Sequence, residues 1–433
     1  MQTFGGHKTM QDKILIQKAI TVLRENDIDG RSTKASPGLY PHQWLWDSCF
    51  IAIGYRYFDI NRAMDEIRGL LEGQWTNGMI PHIKFNEKES GGHPREIWGT
   101  RKVPKCKDIE TSGISQPPMI AIAVWEIYKK NKDKEFLEEV FPMIGKYHRY
   151  IKEFRGLDRS GLSCIIHPWE SGLDNSPRWD NILDSIRLTD TPESKRADTA
   201  FIPIEQRPTD QQYNKYWYLV SLFVGSNYDI TQIFKNDPFI VEAILFNSVW
   251  CEANRCLSKI AEEIGEENKI FEEWAEQTKN SINENLYDEK DGLYYDFDVK
   301  NGVLIKEQTS ASFLPLFANV PNQEIAQKIV EQYIRNSEKY WLNYPLPTVS
   351  ADSLKFNPKR YWRGPVWINM NWFVAKGLEN YGFKSYADYI KEKTVELMNK
   401  SGFREYFNPY TGEGYGADNF SWSAALTLDI MCK

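Results

Sequence analysis

Apolar residues recur along most of the chain at the three- and four-residue spacing of an α-helix. Within 11–26, for example, Ile16, Ile20 and Leu23 fall on one helical stripe. The same spacing predicts further helices over 43–56, 61–73, 115–131, 134–155, 212–228, 238–264, 267–285, 309–318, 322–336, 364–381, 383–400 and 419–432. Many of these segments form consecutive pairs, so helical hairpins are the expected building unit.

Segments rich in Gly, Pro, Asn and Asp separate several of the predicted helices, and most of these segments are long. They cover 38–40, 156–177, 287–302, 343–364 and 408–419. Long connections inside a compact domain are more often functional than idle. The sequence shows no alternating strand and helix units, no Gly-rich phosphate loop and no repeat of fixed period. We therefore predict an all-α chain with one domain over 1–433, compatible with a toroid of inner and outer helices whose loops surround a pocket at one end.

Charge and composition exclude several function classes. A formal charge of -7, from 53 Lys and Arg against 60 Asp and Glu, argues against nucleic acid as a partner. No apolar run approaches the roughly 20 residues of a membrane span, and the first residues lack the apolar core of a signal peptide. We therefore expect a cytoplasmic protein without membrane contact.

Cysteine and histidine usage argues against a metal centre. The six cysteines include no CxxC pair, which predicts reduced structural thiols. The six histidines show no paired ligand spacing, which argues against a zinc enzyme. We expect neither a metal nor a cofactor.

Tryptophan is concentrated in a small part of the chain. The protein has 15 Trp, 23 Tyr and 22 Phe, and eight of the Trp fall within 38–50, 165–180, 361–372 and 403–422. These segments also carry carboxylates, amides and arginines. An indole can stack on the apolar face of a sugar ring while polar groups bind its hydroxyls, so the pattern predicts a sugar pocket that includes Trp46, Trp169 and Arg363. A Trp-rich packing core is the alternative interpretation.

Two carboxylates in these segments are candidates for catalysis. Hydrolysis of a glycoside needs a protonated acid at the leaving oxygen and an ionised group that activates water or attacks carbon. Asp174 lies among turn-forming residues, where an Asx turn or a helix N-cap is the alternative role. Glu405 lies in a short alternating stretch, where pairing with Arg404 or exposure to solvent is the alternative. Asp47 at a predicted helix start could cap that helix or bind sugar hydroxyls. By composition three further carboxylates stay open, namely Glu170, Glu413 and Asp418.

Five motifs in this order make the assignment more specific. They are YPHQWLWD from Tyr40, HPWESGLDNSPRWD from His167, YWRGPVW from Tyr361, EYFNP from Glu405 and NFSWSAA from Asn419. Together they resemble the signature segments of glycoside hydrolase family 63, and most closely its short bacterial mannosylglycerate and glucosylglycerate hydrolases. The resemblance covers about residues 38 to 425.

This resemblance implies an (α/α)6 barrel and an inverting mechanism on an α-linked sugar, with Asp174 as general acid and Glu405 as general base. It also implies a sugar subsite lined by Tyr40, Trp44, Asp47, Gln116, Tyr361, Trp362 and Trp367. In the glycerate-specific branch an Arg and a Tyr six positions later hold the aglycone carboxylate, and Arg207 and Tyr213 match that spacing. The expected partner is therefore a small sugar substrate, glucosylglycerate or mannosylglycerate.

Several alternatives stay open at the level of sequence. The segment 83–105 is more charged than the family pattern, which leaves open the aglycone and whether this segment closes over the substrate. An α-glucosidase or α-mannosidase acting on neutral oligosaccharides is one alternative, and a carbohydrate-binding protein without turnover is another. In either case Arg207 could form a surface ion pair with Glu205 or Asp210. The choice between glucose and mannose, and the formation of a homo-oligomer, are also open.

Overall fold

The structure is a computed structural model that describes residues 9–89, 95–156, 161–188, 196 and 198–432. Helices dominate these residues. The α-helices are α1 (Met10–Glu25), α2 (Leu45–Tyr55), α3 (Ile60–Glu72), α4 (Ile120–Asn131), α5 (Lys134–Phe154), α6 (Asp180–Ser185), α7 (Asp210–Gly225), α8 (Ile230–Asn236), α9 (Ile244–Ile264), α10 (Lys269–Ser281), α11 (Leu314–Phe317), α12 (Gln323–Ile329), α13 (Ile368–Asn380), α14 (Lys384–Ser401) and α15 (Ser421–Cys432).

Six of these helices form a closed inner ring. Around the ring, α2 packs on α4, α4 on α9, α9 on α11, α11 on α13, α13 on α15, and α15 back on α2. Every residue of α2 is buried, and so is every residue of α15 before Cys432. A helix that is buried on all sides must be surrounded by other elements, which is the situation of an inner helix.

Five other long helices pack on the outside of this ring. Helix α1 packs on α15, α3 on α2 and α4, α5 on α4 and α9, α10 on α9, and α14 on α13. These outer helices bury one stripe each, as in α10, where Phe271, Ala275 and Thr278 face inward between charged residues. With α12 following α11, twelve of the fifteen α-helices make six pairs, and α6, α7 and α8 lie in the connections between them. The expected toroid is confirmed, and its form is an (α/α)6 barrel.

Short antiparallel strands shape the connections. They are β1 (Gln43–Trp44), β2 (Ile83–Lys84), β3 (Val241–Glu242), β4 (Tyr287–Asp288), β5 (Leu293–Tyr294), β6 (Asp296–Asp298), β7 (Val303–Ile305), β8 (Tyr406–Phe407) and β9 (Gly414–Tyr415). The pairs are β1 with β2, β4 with β5 and β8 with β9, and the order β3-β6-β7 makes a three-stranded sheet. The pairs β1 with β2 and β8 with β9 hold the chain just before α2 and α15.

Several predicted boundaries were wrong, some for local reasons and some because of contacts with distant residues. Helix α4 begins at Ile120 rather than at 115, because Pro117 and Pro118 lack the amide protons of a helix and restrict the residues before them. Helix α9 begins at Ile244 rather than at 238, because Val241–Glu242 pairs with β6. The short helices α6 and α8 were not predicted. Among the described residues, no helix combines the length and the apolar character that crossing a bilayer requires.

Candidate active site

A pocket opens at the N-terminal ends of the inner helices α2, α4, α13 and α15. It is partly open to solvent, and about 580 Å³ of space within and above it is not filled by atoms. Its lining comprises Ala35, Tyr40, Trp44, Trp46, Asp47, His82, Gln116, Trp169, Gly172, Asp174, Arg207, Tyr213, Tyr361, Trp362, Trp367, Glu405, Phe420 and Trp422. The lining therefore combines aromatic rings with three carboxyl groups and one guanidinium.

The start of α2 presents one of these carboxyl groups. Pairing of β1 with β2 holds Gln43–Trp44 extended, so α2 begins at Leu45 and Asp47 lies in its first turn. The Gln116 side chain accepts a hydrogen bond from the Trp46 amide at 3.3 Å, which ties the chain before α4 to this turn. Burial raises the pKa of Asp47 well above its ordinary value, and the charges of Asp174 and Glu405 raise it further.

Stacked and edge-on rings form the walls. Trp362 and Trp367 stack with ring centroids 3.5 Å apart, and the Trp367 indole N–H donates to the Tyr361 carbonyl at 3.0 Å. Trp46 meets Trp422 edge-on at 5.4 Å. Such walls suit the apolar faces of a sugar ring.

Gly172 allows the loop that carries Asp174 to pass under the Trp46 ring. Its φ of +75° lies in the left-handed region, and a Cβ at this position would come within 2.5 Å of the Trp46 ring. Tyr216 fixes the same loop, because its hydroxyl donates to the Asp174 carbonyl at 2.9 Å. These two contacts fix the backbone of the loop, and the fixed backbone places the Asp174 side chain at the pocket.

The pKa of Asp174 favours a proton donor. Burial raises it from 3.8 to about 7; the charge of Arg207 and the Tyr361 hydroxyl oppose the rise, and the charge of Glu405 adds to it. A carboxyl group with this pKa keeps its proton in part of the molecules at neutral pH.

Glu405 lies next to β8 and accepts several hydrogen bonds. The Tyr40 hydroxyl donates to its Oε1 at 2.9 Å, and the Ala417 amide donates to its Oε2 at 2.9 Å. Gly416, with φ +66°, lets the chain approach closely, since a Cβ there would come 2.3 Å from Oε2. Burial raises the pKa of Glu405 above its ordinary value, although the charge of Arg207 and these two donors oppose the rise. The donors stabilise the ionised form that a general base requires.

Tyr361 connects the two carboxyl groups through Tyr40, since its hydroxyl hydrogen-bonds Asp174 and lies near the Tyr40 hydroxyl that donates to Glu405. It has a left-handed backbone with φ +39°, an uncommon conformation for a bulky residue, and conformations of this kind cluster at functional sites. Its hydroxyl lies 3.4 Å from that of Tyr40, and the Arg207 guanidinium lies 4.2 Å from its ring centroid.

Arg207 and Tyr213 lie together on one side of the pocket. The Arg207 Nη1 is 3.6 Å from Glu405 Oε1. Both residues share a carboxylate that the sequence did not indicate, since Asp198 Oδ2 accepts from Arg207 Nε at 3.0 Å and from the Tyr213 hydroxyl at 3.2 Å. Neither of the alternative partners of Arg207, Glu205 and Asp210, forms its ion pair here.

The pocket brings together thirteen of the fourteen residues predicted for it. The exception is Arg363, which is absent from the described lining: its guanidinium forms a bidentate pair with Asp180 at 2.8 and 2.7 Å and bonds the Asn175 carbonyl at 3.2 Å. Asp180 is the last residue of the motif that contains Asp174. The ion pair of Arg363 therefore stabilises the loop that carries Asp174, from outside the described lining. A sugar contact of Arg363 therefore stays a prediction that this arrangement does not support.

The three other open carboxylates also lie outside the described lining. Glu170 is buried and forms two hydrogen bonds to Arg155, at 2.8 and 2.6 Å, which is a structural ion pair. Glu413 and Asp418 are exposed. The lining residues that the sequence reasoning did not single out are Ala35, His82, Gly172, Phe420 and Trp422. Trp422 could have been predicted as a lining residue, because it lies in one of the Trp-rich segments.

Among the described residues, no group of three or more His, Cys, Asp or Glu side chains is placed to hold a metal ion. The chemistry that these residues can supply is acid and base catalysis by carboxyl groups on a polyhydroxylated, ring-shaped ligand.

Known proteins share both the sequence and this fold. Residues 40–423 match the family described as "Mannosylglycerate hydrolase MGH1-like glycoside hydrolase domain". The mannosylglycerate hydrolase of Rubrobacter radiotolerans is 40% identical over 429 residues, covering 97% of each chain, and the glucosylglycerate hydrolase of Mycolicibacterium hassiacum is 33% identical over 439 residues, covering 96% of this chain and 97% of its own. The crystal structure of the GH63 mannosylglycerate hydrolase from Thermus thermophilus in complex with Tris and D-glycerate superposes with a TM-score of 0.91 at 40% identity, covering 97% of this chain and all of that one. The chain therefore belongs to the MGH1-like glycoside hydrolases of family 63, and it is a glycoside hydrolase.

Proposed function

We propose that this enzyme hydrolyses an α-glycoside of glycerate, either mannosylglycerate or glucosylglycerate, with inversion at the anomeric carbon. Asp174 donates a proton to the glycosidic oxygen. Glu405 removes a proton from the water that attacks the anomeric carbon from the opposite face. Inversion of this kind requires the two carboxyl groups to lie roughly 6.5–9.5 Å apart, with room for that water.

The observation that carries the proposal is the different surroundings of the two carboxyl groups in one pocket. The pKa of Asp174 rises to about 7 by burial, which keeps a proton available. Glu405 accepts hydrogen bonds from Tyr40 and Ala417 and has Arg207 beside it, all of which favour the ionised form. A buried carboxyl group that keeps its proton, beside a second one that accepts hydrogen bonds from fixed donors, is typical of an acid and base pair.

Arg207 supports an anionic aglycone. Its Nη1 is buried, lies in the pocket lining and has no hydrogen-bond acceptor among the described residues. A guanidinium is the natural partner of a carboxylate, and glycerate supplies one. The proposal is consistent with the complex of the Thermus enzyme with D-glycerate, and the names of the two relatives support mannose and glucose alike.

A substrate panel tests this function. Release of reducing sugar should be fastest from mannosylglycerate or glucosylglycerate and much slower from trehalose, kojibiose and nigerose. Arg207→Ala should raise KM for the glycerate glycoside at least tenfold, because a charge-assisted hydrogen bond is lost. Arg31→Ala, which changes a guanidinium that is half exposed on the surface, serves as the control.

The opposite pattern would support the second candidate, an α-glucosidase or α-mannosidase of neutral sugars. In that case a neutral disaccharide would be the best substrate, and Arg207→Ala would leave its turnover unchanged.

We also propose that the enzyme acts in the cytoplasm, where a reducing environment keeps thiols free. The free thiols of Cys49, Cys106, Cys251 and Cys256 support this location. Cell fractionation with an antibody to the protein tests it, and recovery outside the cytoplasmic fraction would contradict it.

A further inference from the structure

Glu405 lies at the start of a very short hairpin. Directly after it, Tyr406–Phe407 forms β8 and pairs with Gly414–Tyr415 of β9 over only two residue pairs. A two-stranded hairpin of this length has little stability of its own in water. The contacts that other parts of the chain make with the hairpin therefore determine how firmly it holds Glu405.

The chain that follows β9 supplies a hydrogen bond to Glu405. The Ala417 amide donates to Glu405 Oε2 at 2.9 Å, and the Glu405 amide donates to the Ala417 carbonyl at 2.9 Å. The next two residues, Asp418 and Asn419, are exposed to solvent. The position of the Ala417 amide therefore depends strongly on what holds the chain immediately before it, at Gly416.

Gln206 holds the hairpin at two points. Its side-chain Oε1 accepts a hydrogen bond from the Gly416 amide at 3.1 Å, and its backbone carbonyl accepts one from the Tyr406 hydroxyl at 2.7 Å. Gly416 directly precedes Ala417, and Tyr406 directly follows Glu405. One residue from a different loop thus contacts the hairpin on both sides of the carboxyl group.

The turn that carries Gln206 is rigid. It is the 3₁₀ turn Ile204–Gln206, in which the Gln206 amide donates to the Pro203 carbonyl at 2.9 Å. The ring of Pro203 fixes its own φ, and Pro208 favours an extended backbone at Arg207, where φ and ψ are -119° and 166°. Gln206 is therefore an acceptor in a fixed position, which a loosely held glutamine would not be.

The charged and titratable groups that act on Glu405 come from several elements. They are Tyr40, Asp47, Asp174, Asp198, Arg207, Tyr361 and Tyr406. The side chain of Gln206 is neutral and adds no charge to this set. Any effect of Gln206 on Glu405 must therefore act through the position of a hydrogen-bond donor.

We propose that Gln206 is a positioning residue for the general base Glu405. By holding the hairpin at Gly416 and at Tyr406, it keeps the Ala417 amide in place to donate to Oε2. This inference rests on the role of Glu405 proposed above, and it concerns the carboxylate oxygen that faces the hairpin. A carboxylate that accepts a hydrogen bond from a fixed amide stays ionised to a lower pH.

Gln206→Met tests this role, because it keeps the length of the side chain and removes the accepting oxygen. The Ala417 amide is then held less firmly, and the pKa of Glu405 rises. In kcat/KM for the preferred glycerate glycoside, measured from about pH 4.5 to about pH 9, we expect the acidic limb to move upward by roughly 0.5–1 pH unit. The alkaline limb, which reports the proton of Asp174, should stay in place.

Two further variants complete the test. Gln211→Met makes the same change of side chain at an exposed residue of α7 and should leave both limbs as in the wild type. Tyr406→Phe removes the other contact with Gln206 and decides the question if Gln206→Met does not fold. It keeps the ring that stacks on Trp367, with centroids 4.8 Å apart, and should also move only the acidic limb upward.

Two results would overturn the inference, in a folded Gln206→Met or, where that variant does not fold, in Tyr406→Phe. One is a pair of limbs unchanged from the wild type, and the other is a fall in kcat/KM that is equal at every pH, because a merely structural role moves neither limb. The proposed function fails in a different way: Glu405→Gln then retains wild-type kcat, and the inference falls with it.

Discussion

Replacing Asp174 by Asn should strongly reduce turnover and, at neutral and alkaline pH, stabilise the fold. In the unfolded chain an aspartate titrates near 3.8, whereas burial raises the pKa of Asp174 in the folded enzyme to about 7. Between these values the unfolded chain releases the proton while the folded chain keeps it. The stability of the wild type that depends on Asp174 is therefore fully present below pH 4 and is lost as the pH rises through 7.

The size of the effect follows from the two pKa values. A change from 3.8 to about 7 corresponds to a loss of at most about 4 kcal/mol between pH 4 and pH 8. Because the Asp174 residue is partly exposed in the pocket, water reduces this figure, and we expect about 2 kcal/mol. Asn at this position carries no charge at any of these pH values and should not show the loss.

Urea denaturation followed by tryptophan fluorescence measures this difference. The free energy of unfolding of Asp174→Asn relative to wild type should grow from pH 4 to pH 7 and stay level above it, while kcat falls by about 10²- to 10⁴-fold. Asp418→Asn, an exposed carboxylate outside the described lining, is the control and should show no such growth. A difference in stability that does not change with pH would refute the reasoning, because it would mean that Asp174 is ionised in the folded enzyme.

Three further predictions concern activity and the core. The kcat/KM of the wild type should decline above about pH 7, as Asp174 loses its proton; a profile that stays flat to pH 9 would contradict its role as the acid. Glu405→Gln should lower kcat by about 10²- to 10⁴-fold with an unchanged circular dichroism spectrum, whereas the exposed Glu413→Gln should retain wild-type kcat. Glu170→Gln breaks a buried ion pair with Arg155 and should lower the free energy of unfolding in urea by about 3 kcal/mol; a loss below about 1 kcal/mol would show that the pair is not a major support.

The sequence could predict the repeating helices because their apolar periodicity is local. It could not place the first residue of α4 or α9, since those ends depend on Pro117 and Pro118 and on pairing between Val241–Glu242 and β6, a contact across more than 50 residues. The segment 287–302 is the connection that its composition predicted, but it folds into β4, β5 and β6 and contributes no residue to the described lining, so its length alone did not indicate a role in the pocket.

The site was predictable where its residues stand in continuous motifs. Asp174, Glu405 and the rings around them lie in such motifs, and the described residues bring them into one pocket. Asp198 was not predictable, because it lies outside every motif and its role depends on contacts with Arg207 and Tyr213. Arg363 is the opposite case. It stands in a motif beside Trp362, but its guanidinium pairs with Asp180 instead of contributing to the described lining.

The central claim is that Asp174 and Glu405 carry out a single displacement with inversion at an α-linked sugar. Proton NMR of the sugar released in the first minutes of hydrolysis of mannosylglycerate or glucosylglycerate, before mutarotation, tests this claim directly. We predict that the β-anomer appears first and that the α-anomer accumulates only as the sugar equilibrates in solution. Initial release of the α-anomer would contradict it, because retention requires a covalent intermediate and carboxyl groups only roughly 5–5.5 Å apart.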